Sequence, residues 1–234
     1  MNLHNVMQEI PLSEIKQIQI GHAQDLSAAT GCTVILCPEG AAAGVDIRGG
    51  GPASRETQLL NPVAAAEKIH AVLLSGGSAF GLDAAGGVMQ YLEEKHIGFE
   101  TGAAKVPLVC ASCIYDLIIG ASNIRPDKTM GYQACENAQV NLRTDGCIGV
   151  GTGATVGKFL GPASMMKSGL GSYAIQIGEL KIGAIVAVNA LGDIFDTQTG
   201  MQIAGPLHAA SPDMHTEQAA SADSTVMLCT EELI

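Results

Sequence analysis

Positive charge is scarce in this sequence. Twelve lysines and arginines stand against 23 aspartates and glutamates, a formal net charge of −11. Such a chain repels a phosphate backbone instead of releasing its counterions, which excludes nucleic acid as a partner. Long apolar runs are missing too. None approaches the roughly 18 residues that cross a bilayer, and the opening MNLHNVMQEIPLSEIK lacks the charged-then-apolar order of a secretion signal. The expectation is a soluble, cytoplasmic protein with no membrane partner. The seven cysteines are odd in number and lack the close, even spacing of a disulfide framework, so they read as free thiols in a reducing compartment. Histidines lie singly, His70 and His96 at element ends and His208 and His215 in the last segment, and form no metal-ligand spacing. Neither a metal nor a cofactor is expected.

What is present is apolar and rich in glycine: 47% of the 234 residues are hydrophobic, 15% are charged and 29 are glycine. Such a chain buries a substantial core, in one large domain or two small ones, with elements joined by tight turns. TGCTVILCP and GAAAGVDIR read as a strand pair around a turn at Glu39-Gly40, and Pro62 as the opening of a short helix through NPVAAAEKIH. AVLLS is a strand. Beyond it, Leu82, Ala85, Val88, Met89 and Leu92 recur at helical spacing, with Gly98 as the stop. VPLVCASCIY reads as a buried strand, which places Cys110 and Cys113 on opposite faces and makes them small buried hydrophobes, not a metal or redox pair. A helix is expected from Asp127 to Ala138. SYAIQIGELKIGAIVAVNALG reads as a hairpin around Gly178-Glu179, its second arm apolar on both faces like a strand covered on both sides. No internal repeat is present. The pattern is that of a layered α/β domain over residues 1–204. From Gly205 to Ile234 lysine and arginine vanish while Ala, Ser, Thr and Asp dominate, which reads as an exposed acidic tether.

Within this frame GVGTGATVGKF, Gly149 to Phe159, invites comparison with a phosphate-binding loop. It fails twice, because Thr152 stands where the first glycine is needed and Phe159 where a magnesium-binding hydroxyl is needed. As a dinucleotide fingerprint it fails as well: Gly149-x-Gly151-x-x-Ala154 runs into Gly157 and Pro162 instead of a periodic helix. Its small residues read as a backbone that packs closely on a neighbour. Lys158 either surfaces at a strand end or is held near an apolar site, where desolvation lowers its pKa; surfacing is the favoured reading. SGGSAF around Ser78 resembles a nucleophile elbow, but Phe80 occupies the place of the second glycine, so it reads as a strand-to-helix turn. Tyr115, beside Asp116, either packs with its oxygen at the surface or presents its hydroxyl to a pocket. Asn189 either serves a turn or donates into a site. No Ser-His-Asp triad can be assembled.

The ordered segments GCTVI, DIRGGGPASRETQLL, VLLSGGSAFGLDAAGGVMQYLEE, PLVCASCIYDL, Pro126-Asp127-Lys128, GVGTGATVGK and AIVAVNALGDI resemble the L-aminopeptidase/D-esterase family over most of Gly21 to Gly200. That family includes β-aminopeptidases, a pantetheine-type amidase and nylon-oligomer hydrolases. Ala53-Ser54 departs from the Gly-Thr that members often carry. The resemblance implies an α/β fold, the αββα four-layer sandwich of N-terminal-nucleophile hydrolases, made as a precursor that cuts itself into a large and a small chain. The nucleophile is then the new N-terminal Ser or Thr of the small chain, its own α-amine acting as base. On this reading these residues form the large chain, with the tether leading to the cut, and Tyr115, Lys158 and Asn189 are its catalytic side chains. Asn189 donates to the oxyanion, Lys158 tunes the nucleophile by its charge, and Tyr115 positions substrate or donates a proton. The implied partners are the small β chain from the same precursor and a small peptide or amide substrate, in an oligomer of αβ pairs. Two rivals remain open: a nucleotide-binding module using the phosphate motif in altered form, and a non-catalytic family member acting as a binding or interaction subunit.

Overall fold

The computed structural model describes residues 7–138 and 145–206; the expected tether lies outside them from residue 207 onward. Two sheets carry the chain. The larger is built from β2 (Gln19–Asp25), β3 (Thr30–Ala41), β4 (Ser54–Arg55), β5 (Ile69–Ser75) and β6 (Val109–Cys113), in the spatial order β2-β3-β5-β6-β4. Its β5 and β6 run parallel, and its other pairs antiparallel. The smaller sheet is antiparallel, with β1 (Met7–Glu9), β7 (Leu170–Ile177) and β8 (Leu180–Ala187) in the order β1-β7-β8.

Alternation along the strands of the larger sheet sets the layers, because successive side chains point to opposite faces. Cys32, Val34, Leu36, Ala71, Leu73, Val109 and Ala111 face one way and pack under α1 (Ala84–Glu94) and α2 (Lys128–Asn137). Ile20, Ile35 and Leu74 face the other way and meet Ala174, Ile185 and Leu170 of the smaller sheet. The described residues thus form a helix layer, a sheet and a second sheet. The central strands, covered on both faces, read as nearly unbroken apolar runs for that reason.

The helices follow their sequence cues with small shifts. Asp127 caps α2, its carboxylate accepting from the Met130 N–H at 2.9 Å. In α1 the buried stripe is Ala84, Ala85, Val88 and Leu92. The residue that turns the chain out of this helix is His96, in the left-handed region at φ 57°, and Ile97 donates back to the Leu92 carbonyl at 2.9 Å. Gly98, the expected stop, instead lies against the backbone of Lys105 and Val106. The two helices touch backbone to backbone: a Cβ on Gly87 would collide with the Lys128 carbonyl, and one on Gly131 with that of Ala84.

Three expectations are corrected. GAAAGVDIR is not a strand beyond Ala41. Residues 42–53 form an exposed loop, and β3 finds its partners in β2 and β5 instead. NPVAAAEKIH is not a helix: the Asn61 side chain accepts from the Val63 N–H at 3.1 Å and its backbone carbonyl from the Ala64 N–H at 2.9 Å, but no helical turn follows, and Ile69 and His70 already belong to β5. The hairpin is present with a two-residue turn at Gly178-Glu179, Ile177 standing opposite Leu180 and Gly178 at φ 61°. Its second arm, however, is not covered on both sides. Tyr173, Leu180 and Ile182, which share the outward face, are 42, 59 and 47% exposed, because no described residue lies over them.

Since α1 and α2 meet through glycine, Gly131→Ala should destabilise the fold by about 1–3 kcal/mol through overpacking. Thermal unfolding of the purified variant should show a melting point several degrees lower; an unchanged melting point would mean that the helices do not cross this closely.

Candidate functional site

Where β5 and β6 end side by side, their continuations are tied together. Ile114 donates to the Ser75 carbonyl at 2.8 Å, and Ser78 to the Ile114 carbonyl at 3.0 Å. Immediately afterwards the chain presents Tyr115 and buries Asp116. The Asp116 carboxylate accepts the Thr30 hydroxyl at 2.7 Å through Oδ2 and the Gly77 N–H at 2.6 Å through Oδ1. Gly76 and Gly153 press against it with no room for a Cβ. Burial raises its pKa above the usual carboxylate value, while the Gly77 and Thr30 hydrogen bonds and the charge of Lys158 oppose that rise. Sequence reasoning treated Asp116 only as a neighbour of Tyr115. The available signal was a lone acidic residue directly after a buried strand.

Lys158 enters from another direction. Gly157, at φ 67°, turns the chain out of the short strand Thr155–Val156, and the backbone N–H of Lys158 donates to the Leu191 carbonyl at 2.8 Å. Its side chain turns inward, so the surfacing reading is corrected. Nζ donates to Oδ1 of Asn189 at 2.7 Å and to the Asn189 carbonyl at 3.0 Å. Asn189 is buried just past the end of β8; its Oδ1 also accepts from the Thr155 N–H at 3.2 Å, and its Nδ2 donates to the Tyr115 carbonyl at 3.2 Å. One amide therefore connects three segments that are distant in sequence.

Tyr115, Lys158 and Asn189 line one cavity of about 540 Å³, together with Ser78 and apolar walls from Pro52, Ala53, Ala79 and Leu191. Tyr115 is 49% exposed. A groove of about 620 Å³ adjoins it, shares Pro52, Cys113 and Asn189, and runs between the end of β6 and the last residues of β8. Cys113 reaches both, but burial and the nearby Asp116 push its thiol up to about 12, so it is a neutral wall and not a nucleophile. Cys110, three residues earlier, is buried beside β4 with its Sγ toward the Glu56 carbonyl. Among the described residues no group of three His, Cys, Asp or Glu is placed to hold a metal ion.

The glycine-rich stretch turns its polar groups inward. The Gly149 N–H donates to Gln24 Oε1 at 2.9 Å and the Val150 N–H to Thr33 Oγ1 at 3.1 Å. Its carbonyls at Gly151 and Ala154 accept from Lys167 Nζ at 2.9 and 3.0 Å. Amides already committed in this way cannot cradle phosphates, and the nucleotide-binding alternative loses its geometric basis.

The state of Asp116 has a measurable consequence. A carboxyl whose folded pKa lies above its ordinary 3.8 contributes most to stability when protonated, and that contribution is lost as pH rises through the raised value. Asp116→Asn removes the titration but can accept from only one of the two donors. Its melting point should fall below that of the parent, with the gap narrowing between pH ~4 and pH ~7 as ionisation penalises the parent alone. A gap that stays constant over this range would contradict the burial effect.

With this geometry in place, known proteins give it a context. Residues 11–232 match peptidase family S58. An uncharacterized aminopeptidase of Mycobacterium tuberculosis is 39% identical over 198 residues, 81% of this chain and 56% of the relative. A 6-aminohexanoate-oligomer endohydrolase of Kocuria sp. is 33% identical over 184 residues, 79% of this chain and 49% of the relative. The chain spans about half the length of these curated relatives. The solved L-aminopeptidase D-Ala-esterase/amidase of Ochrobactrum anthropi, described as a variant of the Ntn-hydrolase fold, is similar with a TM-score of 0.61 at 16% identity, covering 79% of this chain and 55% of that one. The layered α/β arrangement is accordingly of the Ntn-hydrolase type. The chain belongs to peptidase family S58, the L-aminopeptidase/D-esterase family.

Proposed function

We propose that this chain is the large subunit of an amide or peptide hydrolase that matures by self-cleavage, with the nucleophile an N-terminal Ser or Thr on a small partner chain. The observation that carries the reading is the convergence of Tyr115, Lys158 and Asn189 on one cavity from three separate segments. The nucleophile's hydroxyl attacks the amide carbonyl while its α-amine takes the proton. Lys158 keeps a positive charge close by, which lowers the pKa of that amine and favours its neutral, basic form. Asn189 donates one amide hydrogen to Tyr115 and retains a second for the oxyanion. The C–N bond breaks as the Tyr115 hydroxyl delivers a proton to the leaving amine and recovers one from the α-ammonium, and water then hydrolyses the resulting ester with the α-amine again as base.

Two further features support a partner chain. The outward face of β7 and β8 leaves Tyr173, Leu180 and Ile182 uncovered, and a second helix layer there completes the αββα sandwich. The groove between β6 and β8 opens at Asn189, and a strand carrying the nucleophile laid in it would end at the cavity. The apolar walls at Pro52, Ala53, Ala79 and Leu191 fit short aliphatic amides, in keeping with relatives named as aminopeptidases and as 6-aminohexanoate-oligomer hydrolases. Assembly into an oligomer of such pairs, in the cytoplasm, belongs to the same proposal.

Intact mass spectrometry of protein made from the full gene should reveal two chains, the smaller beginning with Thr or Ser, and changing that residue to Ala should leave one uncut, inactive chain. In the processed enzyme Lys158→Ala and Asn189→Ala should keep the parental circular dichroism spectrum and lose about 10²-fold or more in kcat. An uncut, active protein would overturn the proposal, and so would full activity in Lys158→Ala.

A further inference from the structure

We propose that Ser78 is an additional functional side chain of this cavity, its hydroxyl binding the substrate's amide group, and that Asp116 is the positioning residue that aims it; this rests on the hydrolase reading above. Ser78 stands at the strand-to-helix turn in the left-handed region, at φ 53°. That conformation is strained for a residue with a Cβ, and such strain persists where the surroundings impose it. The glycines around it answer to sterics: a Cβ on Gly76 would strike Asp116, and one on Gly81 would strike the Gly76 carbonyl. At position 78 glycine would relieve the backbone, yet serine is present. Of the five left-handed non-glycine residues among those described, Ala29, Ala53, Glu56, Ser78 and His96, two line the cavity, Ala53 and Ser78. Ser78 is the one of these two with a polar group to offer.

The turn is pinned from both sides. The Ser78 N–H donates to the Ile114 carbonyl at 3.0 Å, and the preceding Gly77 N–H donates to Asp116 at 2.6 Å. Asp116 is in turn anchored to Thr30 at 2.7 Å, so the direction of the Ser78 Cα–Cβ bond is set by a buried carboxylate on a different segment. Among the described residues no hydrogen-bond partner engages the Ser78 hydroxyl. It lines the same cavity as Tyr115, Lys158 and Asn189. It is not itself a nucleophile: Lys158 is directed to Asn189, and Asp116 spends its oxygens on Thr30 and Gly77, so neither serves as its base. A hydroxyl that both donates and accepts suits a secondary amide, which presents both a C=O and an N–H.

The test uses the processed protein from the full gene with two probes, an amino-acid p-nitroanilide and a 6-aminohexanoate oligomer, assayed for hydrolysis, with binding read from the inhibition constant of a non-cleavable amine-linked analogue of each. Ser78→Ala should raise KM, and the dissociation constant, about five- to tenfold with kcat within about twofold, because one hydrogen bond made equally in ground and transition states is lost. Its melting point should match the parent's. Ser78→Gly should show the same rise in KM together with a higher melting point. A purely structural serine predicts the opposite: Ser78→Gly would keep the parental KM. Asp116→Asn should raise KM as well, and the double variant Asp116→Asn/Ser78→Ala should be no worse in KM than Ser78→Ala, since the two act through one contact. Additive effects would overturn the positioning role. If the parent binds or cleaves either amide and Ser78→Ala equals it in KM, this inference alone is wrong; if the parent neither binds nor cleaves them, the hydrolase reading falls with it.

Discussion

The site depends on one buried carboxylate. Asp116 brings β3, the turn after β5 and the glycine-rich stretch to a common point, through Thr30, Gly77 and the bare Cα of Gly153. A carboxylate out of water is tolerable only when its oxygens are hydrogen-bonded, and these donors come from residues far apart in sequence. The cost of burying it therefore enforces the tertiary arrangement: any displacement of Gly77 or Thr30 strands a charge in the interior. Asp116 directly follows Tyr115 and faces the turn that carries Ser78, so whatever fixes the carboxylate also fixes the cavity wall.

Asn189 plays the neutral counterpart. It lies just past the end of β8, and its side chain touches the backbone of Tyr115 and of Thr155 and the ammonium of Lys158. These contacts leave Lys158 held between an amide oxygen and a backbone carbonyl, neither of them charged. The same ammonium favours the ionised form of Asp116, so its charge acts on the buried carboxylate as well as on the cavity that it lines.

How far the sequence disclosed this is uneven, for physical reasons. The apolar strand AVLLS, the stripe of α1, the helix beginning beside Asp127 and the two-residue hairpin turn were legible because each is governed by local periodicity or backbone sterics. The 42–53 loop and the turns after Asn61 were misread because small apolar residues carry little pattern of their own; partners elsewhere decide whether they pair. The positions of Tyr115, Lys158 and Asn189 came from the order of family segments, whereas their convergence is a tertiary fact. Composition around Lys158 favoured a surfacing side chain, whereas the two oxygens of Asn189, far away in sequence, draw it inward. Asp116 was overlooked because what distinguishes it, two donors and two bare glycines, lies on other segments.

The uncovered outer face of the smaller sheet bears on how the molecule divides its labour. On the inner face, Ala174 and Ile185 are packed against Ile20 and Ile35, and Leu170 against Val150. The outer residues Tyr173, Leu180 and Ile182 are as apolar as these and alternate with them along the same two strands. A sheet that faced water permanently would place polar side chains at those positions, since alternation costs nothing to satisfy. An apolar set on both faces is what the proposed fourth layer would need beneath it, and each such residue would gain burial under that layer. The same two strands lead directly into Asn189, so the sheet with this uncovered outer face is also the one that carries the amide on which Lys158 rests.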